Sequence, residues 1–184
     1  VPVFIETDDS TDFKITAEQL KAAITPKTKI LLLNTPSNPT GSVYSKEELL
    51  ALGEVLKGTD IIVFSDEMYE KIMYNGKKFT AAAEVSEDMF KRTVTINGLS
   101  KAVAMTGWRF GYIATPDAAL AKALTKLQGQ VTSNINTMTQ YAAIPALNGD
   151  ADETIEMMRV EFEKRKNIVV KSFNEIKGLS TTDP

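Results

Sequence analysis

Apolar positions in this chain fall into two kinds of run. Lys29-Ile-Leu-Leu-Leu33, Ile61-Ile-Val-Phe64 and Arg92-Thr-Val-Thr-Ile96 are short and unbroken, with the length and branched-residue content of buried strands. The first has the continuous apolar character of a strand covered on both faces. Val1 to Ile5 and Arg109 to Ala114 read as two further strands. Between these runs the spacing is helical. Thr16-Ala-Glu-Gln19 and Ser45-Lys-Glu-Glu48 both have capping-box spacing, in which a hydroxyl and the side chain three residues on satisfy free N–H groups at a helix start. The first predicts a short helix to about Ile24. The second predicts a helix with Leu49, Leu52, Val55 and Leu56 on one stripe, closed by Gly58. Residues 81–90 hold a short helix or a loop. Pro116 at a first helical position predicts a helix to about Gln128. Thr137 to Leu147 reads as helical despite Pro145, and Thr132 to Asn136 as loop. Ile155, Met158, Phe162, Val169, Phe173 and Ile176 mark the apolar side of a long helix from about Asp152.

Strands alternating with amphipathic helices argue for an α/β domain with a mainly parallel sheet. Ligands of such sheets sit outside the carboxyl ends of the strands. Three features fall there: the rigid turn Asn34 to Gly41, Asp66 directly after Phe64, and the irregular loop after Ile96. The chain opens in strand-like sequence without Met and stops soon after a helix, so it reads as a piece of a longer protein.

Composition narrows the chemistry. At 184 residues, 43% hydrophobic and 24% charged, the chain suits one sizeable globular domain. A net charge of −3 and no long basic run argue against nucleic acid as a partner. No apolar stretch approaches the roughly 20 residues of a membrane span, and a cytoplasmic setting is the default. Cysteine and histidine are both absent, which excludes disulfides, thiolate nucleophiles, Ser-His-Asp triads and the usual zinc sites within these residues.

What remains is an amine, a carboxylate and a guanidinium. Lys101 lies among small and apolar residues, a setting that predicts partial desolvation and a nucleophilic amine. Arg109 is suited to bidentate capture of phosphate, or to an ion pair within the fold. Asp66, at the end of a hydrophobic strand, wants a cationic partner, unless it caps a following helix. A carbonyl cofactor carrying a phosphate and a basic ring nitrogen, such as pyridoxal phosphate, would use all three; Asp66 would then hold the ring protonated as an electron sink. Tyr69 shares a face with Asp66 if the segment is helical, and is otherwise a core aromatic. Asn38, between two prolines, is preorganised to reach the cofactor's phenolic oxygen. Ser100, Thr106, Asn97 and Gly98 offer donors for a phosphate. Trp108, the one tryptophan, reads as packing.

Asn34-Thr-Pro-Ser-Asn-Pro-Thr-Gly41, then Ser65-Asp-Glu-Met-Tyr69, then Ser100-Lys-Ala-Val-Ala-Met-Thr-Gly-Trp-Arg-Phe-Gly-Tyr112 resemble, in this order, the motifs of the class I aminotransferases. The likeness is greatest to the bacterial aspartate aminotransferases and their aromatic-accepting relatives, and it covers most of residues 1–150. The resemblance implies a three-layer α/β/α fold of type I with a mainly parallel mixed sheet, present in part. Residues 1–150 would belong to the large domain that binds pyridoxal 5'-phosphate, and 151–184 to the helix leading into a small domain. Lys101 would form the Schiff base with the cofactor. Asp66 would pair with its ring nitrogen, Tyr69 and Asn38 would bond its phenolic oxygen, and Arg109 with Ser100 would hold its phosphate. Asn38 would also border the substrate.

The implied activity is ping-pong transfer of an amino group between an aspartate-like or aromatic amino acid and a 2-oxo acid, in a homodimer. Gly98 departs from relatives with a hydroxyl at that place, and no arginine occurs between Arg109 and Arg159 to serve a distal carboxylate across a dimer interface. Gln130 to Thr137 is a candidate for lining a neighbouring subunit's site. The resemblance puts the ring-stacking aromatic and the phosphate loop before Val1, and the arginine for the substrate carboxylate beyond Pro184, so the 184 residues alone are expected to be inactive. A carbon–sulfur lyase, a synthase, and the aminotransferase-like sensor domain of a transcription regulator are the alternatives on the same scaffold.

Overall fold

Strands and helices alternate along the computed structural model, which describes residues 1–184. Strands β1 (Ile30–Asn34), β2 (Ile62–Asp66), β3 (Thr93–Gly98) and β4 (Gly111–Ala114) form one sheet in that order. The first three are parallel, with Asn34 opposite Asp66 and Asp66 opposite Ile96. β4 runs antiparallel to β3 and pairs Gly98 with Gly111. The sheet is thus mixed and mainly parallel, and its parallel connections pass through helices, which bring the carboxyl ends of β1, β2 and β3 onto one edge.

Local chemistry explains the helix starts. At α1 (Ala17–Ala23), Thr16 Oγ1 accepts from the Gln19 N–H and Gln19 Oε1 accepts from the Thr16 N–H. At α2 (Lys46–Leu56), Ser45 and Glu48 make the same reciprocal pair. Residues 81–90 contain a 3-10 turn, Ala82–Glu84, and the start of α3 (Glu87–Arg92), capped by Ser86. α4 (Ala118–Val131) is capped by Asp117, whose carboxylate accepts from two backbone N–H groups at 2.9 Å. Pro116 therefore precedes the cap instead of taking the first helical position. α5 (Thr137–Leu147) accommodates Pro145, and α6 spans Asp152–Asn174.

The core lies on one face of the sheet. Leu49, Leu52 and Leu56 of α2 pack with Leu31, Leu33, Val63 and Met89 into a single buried cluster. Two expectations fail here for a shared reason, the lack of a covering partner within these residues. Ile30 and Leu32 stand exposed, so β1 is buried on one face only. Residues 1–5 are not a strand, since no neighbouring edge takes up their N–H and C=O groups, and Val1, Val3 and Phe4 are exposed. α6 forms from Asp152 as its apolar spacing predicts; along it Ile155 is buried, while Phe162, Val169 and Phe173, and Ile176 beyond its end, are exposed. That helix is held by polar ties instead. Arg159 donates to the Met73 carbonyl at 3.1 Å, and the Asn75 N–H donates to Glu163 at 2.6 Å.

Candidate active site

The carboxyl edge of β1, β2 and β3 carries the chemistry. After β1 the chain enters a turn with two cis X-Pro bonds, Thr35-Pro36 and Asn38-Pro39. The turn is closed by backbone bonds from Ser37 to Ser42 and from Gly41 to Ser37, both 2.9 Å. Asn38 projects from it, exposed, and its Nδ2 donates to Tyr69 Oη at 3.2 Å.

Tyr69 does not sit on a helix. β2 ends at Asp66 and residues 68–71 form turns, so Asp66 is neither an N-cap nor one helical turn from Tyr69. Asp66 is half-buried, with Oδ1 accepting from the Met68 N–H at 3.2 Å. Its carboxylate forms no salt bridge: the chain's ion pairs lie elsewhere, as between Arg92 and Asp88 or Arg159 and Glu163.

The third element is the loop from Leu99 to Phe110. Ala104 and Arg109 take left-handed backbone conformations with φ of 56° and 54°, a strain found in residues that a surrounding structure holds in place. The loop is braced by Thr106, whose hydroxyl donates to the Ser100 carbonyl at 2.9 Å and whose own carbonyl accepts from Arg109 at 3.2 Å. Lys101 projects toward Tyr69, its Nζ 5.6 Å from the ring centroid.

The structure thus brings Asn38, Tyr69 and Lys101 into one group. Asp66 joins the Asn38 turn through its carbonyl, which accepts from the Thr35 N–H at 3.0 Å. Ser100 and Arg109 share the lysine loop through Thr106. A cleft of about 900 Å³ opens beside Asn38 and Tyr69, with Lys166 and Val170 of α6 opposite them. Lys101, Asp66, Ser100 and Arg109 lie outside that cleft.

Several expectations are corrected. Lys101 is exposed, because its small and apolar sequence neighbours do not fold around the amine. Trp108 is 47% exposed, so this chain covers only about half of it. The Gly98 N–H is taken by Asn97 Oδ1 at 2.7 Å, and the Thr106 hydroxyl proton goes to the Ser100 carbonyl, so neither of these two is a free donor for a phosphate. Gly98 itself is required by close packing. A Cβ there would meet the Phe110 carbonyl oxygen at 2.7 Å, so a hydroxyl residue has no room.

One residue of the site region escaped the sequence reading. Glu67, next to Asp66, is only 1% exposed. Its Oε1 accepts from the Ser65 hydroxyl at 2.8 Å and from the Ala82 N–H at 3.0 Å, which ties the end of β2 to the 3-10 turn at 82–84. Burial pushes its carboxyl above the usual range; the two hydrogen bonds oppose this, and the nearby charges of Glu70 and Glu84 add to it. The signal for it was weak, a second acid after a strand, where sequence alone favours an exposed side chain.

An amine, an unpaired carboxylate and an unpaired guanidinium on one sheet edge fit a phosphorylated pyridine aldehyde. Comparison with known proteins points the same way. The chain is 48% identical over 184 residues to the aspartate aminotransferase of Geobacillus stearothermophilus and 46% identical to the asparagine–oxo-acid transaminase of Streptococcus mutans. All of this chain aligns in both cases, against 46% of each relative, so it spans about half their length. The fold superposes on the aspartate aminotransferase of Rhizobium meliloti with a TM-score of 0.95 at 43% identity, covering all of this chain and 46% of that one. For an aromatic aminotransferase from Pyrococcus horikoshii the TM-score is 0.93 at 38% identity, covering 48% of that chain. The sequence profile of aminotransferase class I and II matches residues 1–184 throughout, and with the motifs, fold and edge geometry in agreement, the chain belongs to that family.

Proposed function

We propose that the protein is a pyridoxal-phosphate-dependent aminotransferase, a cytoplasmic homodimer that moves an amino group between an aspartate-like or aromatic amino acid and a 2-oxo acid. The observation that carries this reading is the Asn38–Tyr69–Lys101 group beside Asp66 on the carboxyl edge of the sheet. Residues 1–150 are read as part of the large domain, and α6 as the connection to a small domain. Exposed apolar side chains on α4 and α5, including Leu127, Val131, Met138, Tyr141 and Ile144, support a subunit interface there.

Pyridoxal phosphate supplies an aldehyde that condenses with amines and a protonated ring that draws off electrons. Lys101 Nζ would be the nucleophile that holds the aldehyde carbon. Once free of that carbon, the same nitrogen would be the group to take the proton from the substrate Cα as general base and to deliver it to the former aldehyde carbon as general acid. Asp66 keeps the ring nitrogen protonated by ion pairing. Asn38 donates to Tyr69 Oη, which leaves the phenol's own proton available for the cofactor's phenolic oxygen, and Asn38 Nδ2 has a second hydrogen for the same purpose. Arg109 and the Ser100 hydroxyl hold the phosphate.

The test is an assay of the full-length protein against a panel of amino donors with and without 2-oxo acid acceptors. Turnover that requires the acceptor is expected. Product released from the donor without any acceptor would point to lyase or synthase chemistry and overturn the reading.

A further inference from the structure

Asn34, the last residue of β1, is half-buried and reaches both loops that flank it. Its Oδ1 accepts from the backbone N–H of Asn38 at 2.9 Å. Its Nδ2 donates to the backbone carbonyl of Asp66 at 3.3 Å, the carbonyl that also receives the Thr35 N–H. One planar amide therefore spans the Asn38 turn and the end of β2. Only a side chain with an acceptor and a donor on one short fork can do this: aspartate lacks the donor, leucine lacks both, and glutamine is one methylene too long.

We propose that Asn34 is a positioning residue, which sets Asn38 and Asp66 in one frame at the cofactor site. The inference rests on the function proposed above. Pro36 and Pro39 fix two φ angles of the turn but supply no N–H, so the orientation of the peptide that bears Asn38 depends on where its N–H bonds. Asn34 Oδ1 is that bond. Through it, Asn34 fixes the distance from Asn38 Nδ2 to Tyr69 Oη and hence the donors that face the phenolic oxygen. Donation to that oxygen stabilises its anion and lowers the pH at which the lysine-bound cofactor loses its proton. Loosening Asn34 raises that pH.

The experiment uses full-length protein loaded with pyridoxal phosphate. Asn34→Leu, close in volume, and Asn34→Ala, in case leucine does not fold, are compared with the parent by titrating the visible absorbance of the bound cofactor. Both variants are expected to raise the titration midpoint by about half a unit to one unit, the scale of one lost hydrogen bond. Added to Asn38→Ala, the Asn34→Leu change is expected to give a clearly smaller shift than in the parent background, because the larger part of its effect runs through Asn38 and only the remainder through Asp66. Unmoved midpoints in variants that keep a normal cofactor band overturn this inference alone. A shift of full size persisting in the Asn38→Ala background overturns it as well. A parent protein with no visible cofactor band overturns the proposed function, and this inference with it.

Discussion

Replacing Glu67 tests how the end of β2 is held. Its carboxyl is buried with no cation beside it, and one oxygen serves two donors, the Ser65 hydroxyl and the Ala82 N–H. Glu67→Ala leaves both buried donors unpaired and opens a void. At about 1–3 kcal/mol for each of the two unsatisfied groups, the loss is expected to be roughly 2–6 kcal/mol. Glu67→Gln keeps an oxygen for both donors and cannot ionise. The pH dependence follows from the direction of the shift. Burial raises the folded-state value above the unfolded one. The contribution is therefore complete below the unfolded value of about 4.3, and it is lost as pH rises through the folded value, because the unfolded chain releases its proton first. Urea denaturation followed by circular dichroism, at intervals from about pH 4 to about pH 8, measures it. The parent is expected to lose stability relative to Glu67→Gln across that range. A parent that gains stability relative to Glu67→Gln as pH rises would show that the folded state favours the carboxylate, and would refute the reasoning.

The other perturbations probe packing and the site. Gly98→Ser drives a Cβ to 2.7 Å from the Phe110 carbonyl oxygen and should cost about 1–3 kcal/mol, and an unchanged thermal midpoint would contradict the close approach of β3 and β4. Leu52→Ala, at 1% exposure in the cluster under α2, should cost about 2–5 kcal/mol in denaturant titration; a loss below about 1 kcal/mol would mean the cluster is not tightly packed. Asp66→Ala in the full-length protein should still bind pyridoxal phosphate yet lose more than about a hundredfold in kcat, and a near-normal kcat would remove the ion-pairing role.

Much of the fold was legible because its signals are local. Both capping boxes formed as their spacing predicts, and the runs ending at Leu33, Phe64 and Ile96 became β1, β2 and β3. Thr137–Leu147 became α5 across Pro145. What failed depends on long-range partners. Whether Val1 to Ile5 pairs, and whether Leu32 is covered, is decided by neighbours that periodicity cannot see. The same division holds at the site. Motif order placed Asn38, Asp66, Tyr69 and Lys101 near one another, since strand ends in a parallel sheet share an edge. It did not reveal that Lys101 is exposed, that Thr106 braces the loop instead of facing a phosphate, or that Glu67 is buried. Those facts come from how the chain turns after each strand, which adjacent residues do not encode.

The account stands on Lys101 as the nucleophile that carries the cofactor. Reducing the full-length protein with borohydride in the presence of pyridoxal phosphate, then mapping the modified peptide by mass spectrometry, tests this most directly. The predicted result is a single pyridoxyl group on Lys101, lost in Lys101→Ala together with the visible absorbance. A stable pyridoxyl group on a different lysine, or none on the parent protein, would contradict it.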